Sequence, residues 1–281
     1  MERMPLLVTV DVNYLPHVKT MLTSLRLNGG QGTYDVYIMH SDIYDERMED
    51  MNRYCERLNM RLFPVRLHED DFAGAPVTAY YSKAMYYRLL ASKILPSTLD
   101  KVLYLDPDTL IINRIDRLYD ADMGTKLFAA AAHTGLTDLA KHVNRIRLGT
   151  PDSEGYFNSG VMLLNLEQQR GRIREQDIFT YVKHNGNALI LPDQDVLNAL
   201  YGDVILPLDD SLYNYDSRCF EKYFLTSGGI KDMDWVMENT AILHYCGSTK
   251  PWQKTAGGRF VPLYKHYIRL AKRYDGSRAI R

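Results

Sequence analysis

Lys101-Val102-Leu103-Tyr104-Leu105-Asp106-Pro107-Asp108-Thr109 is the stretch that decides how the chain is read. A short, unbroken apolar run ending in two acids one residue apart has the pattern of a buried strand in a mostly parallel sheet. Pro107 has no N–H for a ladder and fixes its own φ, so the strand is expected to stop there. In open α/β sheets, ligands sit beyond the carboxyl ends of the strands, where these acids fall. Two carboxylates on a rigid turn suit a hard divalent cation with open positions for phosphate oxygens. Alone, Asp-Pro-Asp also reads as a polar turn. The flanking sequence favours the first reading.

Toward the N terminus, residues 6–10 form another β-rich run, ending at Asp11-Val12-Asn13-Tyr14. Pro16 suits a first helical turn; Val18, Leu22 and Leu25 follow at helical spacing, and Asn28-Gly29-Gly30 supplies the stop. Residues 34–39 and 61–65 read as strands around a polar helix over 45–58. Strand, helix, strand, helix, strand with short loops is the signature of a nucleotide-binding βαβ sheet. No G-x-G-x-x-G or Walker loop follows the first strand, which supports a metal as the phosphate anchor. Residues 82–95 read as a helix carrying Arg88, whose plainer role would be a solvated or ion-paired face.

Toward the C terminus, residues 127–132 form an apolar strand ending at His133. Tyr156-Phe157-Asn158-Ser159-Gly160 leads into a buried run over 161–164. Leu191-Pro192-Asp193-Gln194-Asp195 opens a helix, and proline with first-turn acids makes a helix cap the simple reading of Asp193. Residues 204–206 and 241–243 are further strand candidates. No repeat or linker interrupts the chain, so one compact domain is expected.

The 281 residues are 46% hydrophobic and 25% charged, values ordinary for a globular protein. The 21 tyrosines against 8 phenylalanines offer flat stacking area with polar tips, suited to sugar or nucleobase contact or to a wet core boundary. Cys55, Cys219 and Cys246 are odd in number and far apart, which points to a reducing compartment. Residues 1–5 are too short for a signal peptide and 6–10 too short for a membrane span, so a cytoplasmic protein is expected. From Pro251 onward eight basic residues face one acid, while the whole chain carries −1. A chain near neutral overall with a basic tail argues against general nucleic-acid binding and for a localised anionic partner.

The ordered set Asp11-Val12-Asn13-Tyr14, Arg88, Asp106-Pro107-Asp108, Phe157-Asn158-Ser159-Gly160, Asp193-Gln194-Asp195 and His244-Tyr245-Cys246-Gly247-Ser248-Thr249-Lys250-Pro251-Trp252 resembles glycosyltransferase family eight. These are retaining, manganese-dependent enzymes that include bacterial lipooligosaccharide galactosyltransferases and glycogenin. The resemblance covers residues 6–252 and implies an α/β, GT-A fold: a Rossmann-like mixed, mainly parallel sheet flanked by helices. It implies that Asp106, Asp108 and His244 ligate Mn²⁺, with Mg²⁺ a substitute, at a site whose open positions take both phosphates of a UDP-sugar. Two carboxylates and an imidazole suit that metal. By the same resemblance Lys250 and the Gly247 turn reach the diphosphate. Asp11 and Asn13 bond uracil with Tyr14 stacked on it, and Arg88, Asn158, Asp193 and Gln194 surround the donor sugar. The nucleophile's place holds Gln194, an amide and a poor nucleophile. Double displacement wants two carboxyls about 5 Å apart, so retention by front-face substitution is the reading, with Asp193 the alternative nucleophile.

Two positions depart from better-known relatives, His133 where an acid touches sugar and Tyr80 where a histidine stands, so glucose or galactose is left open. The expected organisation is a catalytic domain over 1–252 and a basic amphipathic tail over 253–281. Leu263, Tyr264, Tyr267, Ile268, Ala271 and Tyr274 share one helical face of that tail, which would either lie on an anionic membrane at its inner face or pack on the domain. The leading function is hexose transfer from a UDP-sugar to a hydroxyl of a glycan, glycolipid or glycoprotein, in lipopolysaccharide or other cell-surface glycan synthesis. A non-catalytic sugar-nucleotide or glycan-binding protein on the same fold is the alternative, disfavoured by the intact ligand set. A nucleotidyltransferase or phosphohydrolase is disfavoured by the terminal Lys-Pro-Trp.

Overall fold

The computed structural model describes residues 3–68, 86–132, 155–186 and 189–276. Tyr80 and His133 lie outside them, as does the start of the helix expected from residue 82.

Seven strands form the central sheet in the order β3-β2-β1-β4-β7-β6-β8. They are β1 (Arg3–Thr9), β2 (Thr33–His40), β3 (Met60–Arg66), β4 (Lys101–Leu105), β6 (Phe128–Ala132), β7 (Phe157–Asn165) and β8 (Ile205–Leu208). The pairings β1/β2, β2/β3, β1/β4 and β6/β8 are parallel, while β7 runs antiparallel to both β4 and β6. The sheet is therefore mixed and mainly parallel. A second, three-stranded sheet is ordered β5-β10-β9, built from β5 (Thr109–Ile111), β9 (Tyr215–Asp216) and β10 (Ile242–His244).

Among the described residues, the helices of ten residues or more are α1 (Leu15–Asn28), α2 (Asp45–Arg57), α3 (Glu175–Asn185), α4 (Pro192–Tyr201) and α5 (Val261–Tyr274). The sheet's two faces bury separate cores. One gathers Leu6, Val8, Leu103 and Leu105 with Leu22 of α1 and Met51 of α2. The other gathers Leu7, Val102 and Tyr104 with Ile178 of α3 and Leu197 of α4. The alternation along β4 follows from the two-residue period of a strand.

Two features of this topology build the site. Because β7 alone is reversed, its first residues, rather than its last, lie beside the end of β4: Leu105 pairs with Val161, and Asp106 N donates to Gly160 O at 2.7 Å. Phe157-Asn158-Ser159-Gly160 belongs to β7 itself rather than to a loop leading into it. In the second sheet β10 pairs with β5, setting His244 opposite Thr109, so a histidine far along the chain arrives beside Asp108.

The expected helix before β4 is, from Tyr86 on, a run of turns with only Ala91–Ile94 helical. Arg88 stands in that turn, held by carboxylates from β4 and α4. Tertiary contacts override the local helical spacing here.

The C-terminal helix α5 packs against α1. Tyr264, Tyr267 and Ala271 are buried, and Leu263, Ile268 and Tyr274 partly so. Asn28 Nδ2 donates to Tyr267 Oη at 2.7 Å, and Lys19 Nζ bridges Asp50 at 2.6 Å and Asp275 at 2.7 Å. Trp252 stacks on His17 of α1 with ring centroids 3.5 Å apart, closing the join. The apolar face of this helix therefore meets protein, and its basic residues Lys265, Arg269, Lys272 and Arg273 remain exposed. Deleting residues 261–281 exposes a substantial part of the α1 core, since each buried large side chain contributes about 1.5–3 kcal/mol. The expected result is a melting temperature lower by about 10 °C or more. A truncated protein that melts with the full chain contradicts this.

Candidate active site

The two acids of the opening stretch end β4, and the residues around them are brought in by four other elements. Pro107 breaks the strand, and Thr109 Oγ1 donates to Asp106 O at 2.8 Å to close the turn. Tyr245 N donates to Asp108 O at 3.0 Å, fastening the second sheet to that turn. Ligand atoms of Asp106, Asp108 and His244 then lie within 4.8 Å of one another. His244 Nε2 is 3.3 Å from Asp108 Oδ1 and 4.0 Å from Asp106 Oδ2.

The other face of the imidazole is fixed as well. His244 Nδ1 and Asn214 Oδ1 are 2.7 Å apart, the separation of an N–H donating to an amide oxygen, which leaves Nε2 facing the carboxylates. Asn214 Nδ2 donates to Asn158 Oδ1 at 2.9 Å, and Asn158 Nδ2 donates to Gln194 Oε1 at 3.0 Å. A buried chain of amides thus connects the histidine to the start of α4. Asn214→Ala is expected to lower affinity for Mn²⁺ about 10–100-fold with the three ligands intact. Mn²⁺ titration followed by electron paramagnetic resonance checks it, and unchanged affinity would contradict the bracing role.

Three cations surround the acids. Arg88 NH1 lies 3.0 Å from Asp106 Oδ1 and 3.2 Å from Asp193 Oδ2, with its guanidinium over the Tyr104 ring at 4.6 Å. Lys250 Nζ donates to Asp108 Oδ2. Burial raises the Asp106 pKa; Arg88 opposes this and the charge of Asp108 adds to it. Burial would raise Asp108 too, but His244 and Lys250 hold it below the ordinary carboxylate range. Burial disfavours charge on His244, yet Cys246 and Asp108 raise its pKa well above the usual imidazole value. Arg88 and Lys250 thus set positive charge against the two acids.

The donor set fits a divalent metal: two hard oxygens and an oriented imidazole nitrogen at strand ends. Space is also kept for it. A Cβ on Gly160 would sit 2.4 Å from His244 Cε1 and 2.7 Å from Asp106 Oδ2, so only glycine lets these ligands close up.

Beside the triad opens a cavity of about 540 Å³ lined by Asp11, Tyr14, Arg88, Asp106, Asp108 and Lys250, together with Met39–Asp42 at the end of β2. Asp11 Oδ1 caps the turn at Val12–Tyr14, accepting from Asn13 N at 2.7 Å and Tyr14 N at 3.3 Å. Tyr14 is half-buried, edge-on to Trp252 at 5.9 Å. Asn13 is exposed and does not line the cavity, and Gly247 stands apart beside Arg218. Asp193 is not a simple cap: its Oδ2 accepts from Ser159 Oγ at 2.8 Å and pairs with Arg88. Gln194 is 4% exposed, and its Nε2 has no partner among the described residues.

Several neighbours escape sequence reasoning. Tyr104 Oη donates to Asp106 Oδ1 at 2.6 Å; its place two residues before Asp106, on the same strand face, was the available signal. Asp195 is fully buried and accepts from Tyr156 Oη at 2.6 Å, Ile190 N at 2.7 Å and Leu191 N at 3.0 Å, fixing the entry to α4. Asn214 has no local signal at all.

Comparison with known proteins gives the family of the chain. The model of glycosyl transferase family 8 matches residues 5–256. The chain is 32% identical over 263 residues to a lipopolysaccharide 1,2-glucosyltransferase of Escherichia coli K12, covering 92% of this chain and 74% of that one. It is 25% identical to general stress protein A of Bacillus subtilis strain 168, covering 96% and 95%. In fold it is similar to the galactosyltransferase LgtC solved with donor and acceptor sugar analogues. There the TM-score is 0.79 at 21% identity, over 95% of this chain and 96% of that one, and the fold is GT-A. The family match takes in every cluster described above, from Asp11 to Lys250, and the chain belongs to glycosyl transferase family 8.

Proposed function

We propose that the protein is a retaining glycosyltransferase that moves glucose or galactose from a UDP-sugar to an acceptor hydroxyl in lipopolysaccharide or another cell-surface glycan. The observation that carries this is the convergence of Asp106, Asp108 and His244 beside a cavity walled by Tyr14 and Lys250. A lipopolysaccharide glucosyltransferase as a relative at 32% identity supports the acceptor class. Among the described residues no helix is long and apolar enough to cross a membrane. The three cysteines are unpaired, which fits work in the reducing cytoplasm. Contact with an anionic inner membrane face would be through the exposed basic side of α5, and salt would weaken it.

Asp106, Asp108 and His244 would hold Mn²⁺ or Mg²⁺, which supplies positive charge to the departing diphosphate. Lys250, paired with Asp108 here, would turn to a phosphate oxygen, and the Gly247 turn would approach the same group. Tyr14 would stack on uracil with Asp11 bonding its edge; Asn13 would reach the base only from outside the cavity wall. Arg88 would hold a sugar hydroxyl while pairing with Asp193, and Asn158 would orient the Gln194 amide. The leftover Gln194 N–H is a donor suited to the sugar. With an amide at the nucleophile's place, the acceptor would attack from the leaving group's face and the departing oxygen would take its proton. Positioning and charge stabilisation would do the catalysis.

A donor screen with Mn²⁺, reading UDP release and the product's anomeric configuration by NMR, tests this. Release of UDP from UDP-glucose or UDP-galactose with the α configuration kept is the expected result. Pyrophosphate or UMP as product, or an inverted linkage, would defeat the proposal. A stable glycosyl adduct on Asp193 would move it to double displacement.

A further inference from the structure

Residues 246–251 are shared by two cavities. Lys250 lines the large one, whereas Cys246, Thr249 and Pro251 line a second, of about 280 Å³, together with Arg218. No backbone hydrogen bond involves residues 246–249 among the described residues. Lys250 at the end of this turn is held by Gln253 N donating to its carbonyl at 3.0 Å, so residues 246–249 lean on the side chains packed against them.

Arg218 is placed for this. Asp216 pairs with His244 in the parallel β9/β10 register, and Ser217 N donates to His244 O at 3.0 Å. The Asp216 carboxylate, only 3% exposed, accepts from Arg218 N at 3.0 Å, Nε at 2.9 Å and NH2 at 2.7 Å. A two-toothed fork of this kind fixes the plane of the guanidinium and aims what is left of it. What is left is NH1, and a Cβ on Gly247 would lie 2.4 Å from it. Gly247 has φ +89°, a conformation glycine takes freely. Arg218 NH1 thus packs against the bare Cα side of Gly247, where any side chain would meet the guanidinium.

We infer that Arg218 is a positioning residue: anchored on Asp216, it holds the turn at Gly247 and thereby sets where Lys250 stands over the diphosphate. The inference rests on the sugar-nucleotide reading. Arg218 reaches the ligand through Lys250 rather than by touching it, so its effect on UDP should vanish once Lys250 is gone. Mn²⁺ binding alone, whose candidate ligands Asp106, Asp108 and His244 do not include Lys250, should be untouched.

Calorimetric titration of UDP in the presence of Mn²⁺ tests this on the wild type, Arg218→Ala, Lys250→Ala and the double variant. Arg218→Ala is expected to weaken UDP binding about tenfold. The double variant is expected to stay within about twofold of Lys250→Ala alone. Because Arg218→Ala leaves a buried carboxylate without its guanidinium, Asp216→Asn/Arg218→Gln serves as the second variant. It removes both charges and should show the same tenfold loss with melting near wild type. UDP binding at wild-type strength in either Arg218 variant overturns the inference. So do effects of Arg218→Ala and Lys250→Ala that multiply, or Mn²⁺ affinity falling in step with UDP affinity. A wild type that does not bind UDP would remove the sugar-nucleotide reading and the inference with it.

Discussion

Asp106→Asn, Asp108→Asn and His244→Gln each lose sugar transfer by about a thousandfold or more, while the protein stays folded. The three side chains come from the end of β4 and from β10, and they form the cluster of metal-ligating groups found among the described residues. Asparagine and glutamine are the informative changes. Alanine at 108 would strand Lys250 and His244 as buried cations without their carboxylate, at about 3–5 kcal/mol. An activity loss could then be mistaken for unfolding. The amides keep the volume and remove the ligand charge. Treatment of the wild type with a chelator should give the same loss, reversed by Mn²⁺. Transfer at an undiminished rate by chelated protein would break the assignment of all three residues.

Gly160→Ala costs about a hundredfold in transfer although it touches neither donor nor acceptor chemistry directly. Glycine 160 is not in a left-handed conformation, so the effect is one of space and not of backbone strain. Its missing Cβ would lie 2.4 Å from His244 Cε1, 2.7 Å from Asp106 Oδ2 and 3.1 Å from Asn158 Oδ1, all at once. The methyl must push apart His244 and Asp106, the proposed metal ligands, which come from separate sheets. Overpacking of this kind costs about 1–3 kcal/mol of stability, so the variant should fold with a lowered melting temperature. Affinity for Mn²⁺ should fall with activity. If Gly160→Ala binds Mn²⁺ and transfers sugar like the wild type, the ligands are not held as tightly as the geometry requires.

How much of this could be read from residues depends on which partner lies near in sequence. The strand that ends at Asp106 was legible because an apolar run stopped by proline admits few readings. The first βαβαβ was legible for the same reason, with boundaries within a few residues of β1, β2 and β3. The place of Asn158 was less so: it depends on β7 being the one reversed strand, and neither its composition nor its length reveals direction. The turn around Arg88 was mistaken for a longer helix, because spacing cannot foresee a guanidinium drawn to Asp106 and Asp193. Asn214 and Arg218 were missed outright. Their roles arise from the three-stranded sheet, whose strands are only two or three residues long and leave almost no periodic signal. The basic tail showed its amphipathic face plainly, but not that α1 would cover it.

The most direct test of the central claim is calorimetric titration of UDP into the chelated protein, with and without Mn²⁺. If the diphosphate sits on a cation held by Asp106, Asp108 and His244, with Lys250 as the supporting charge, UDP binding is measurable with Mn²⁺ and weaker by at least about tenfold without it. UDP binding of equal strength in both titrations, or none in either, would contradict it.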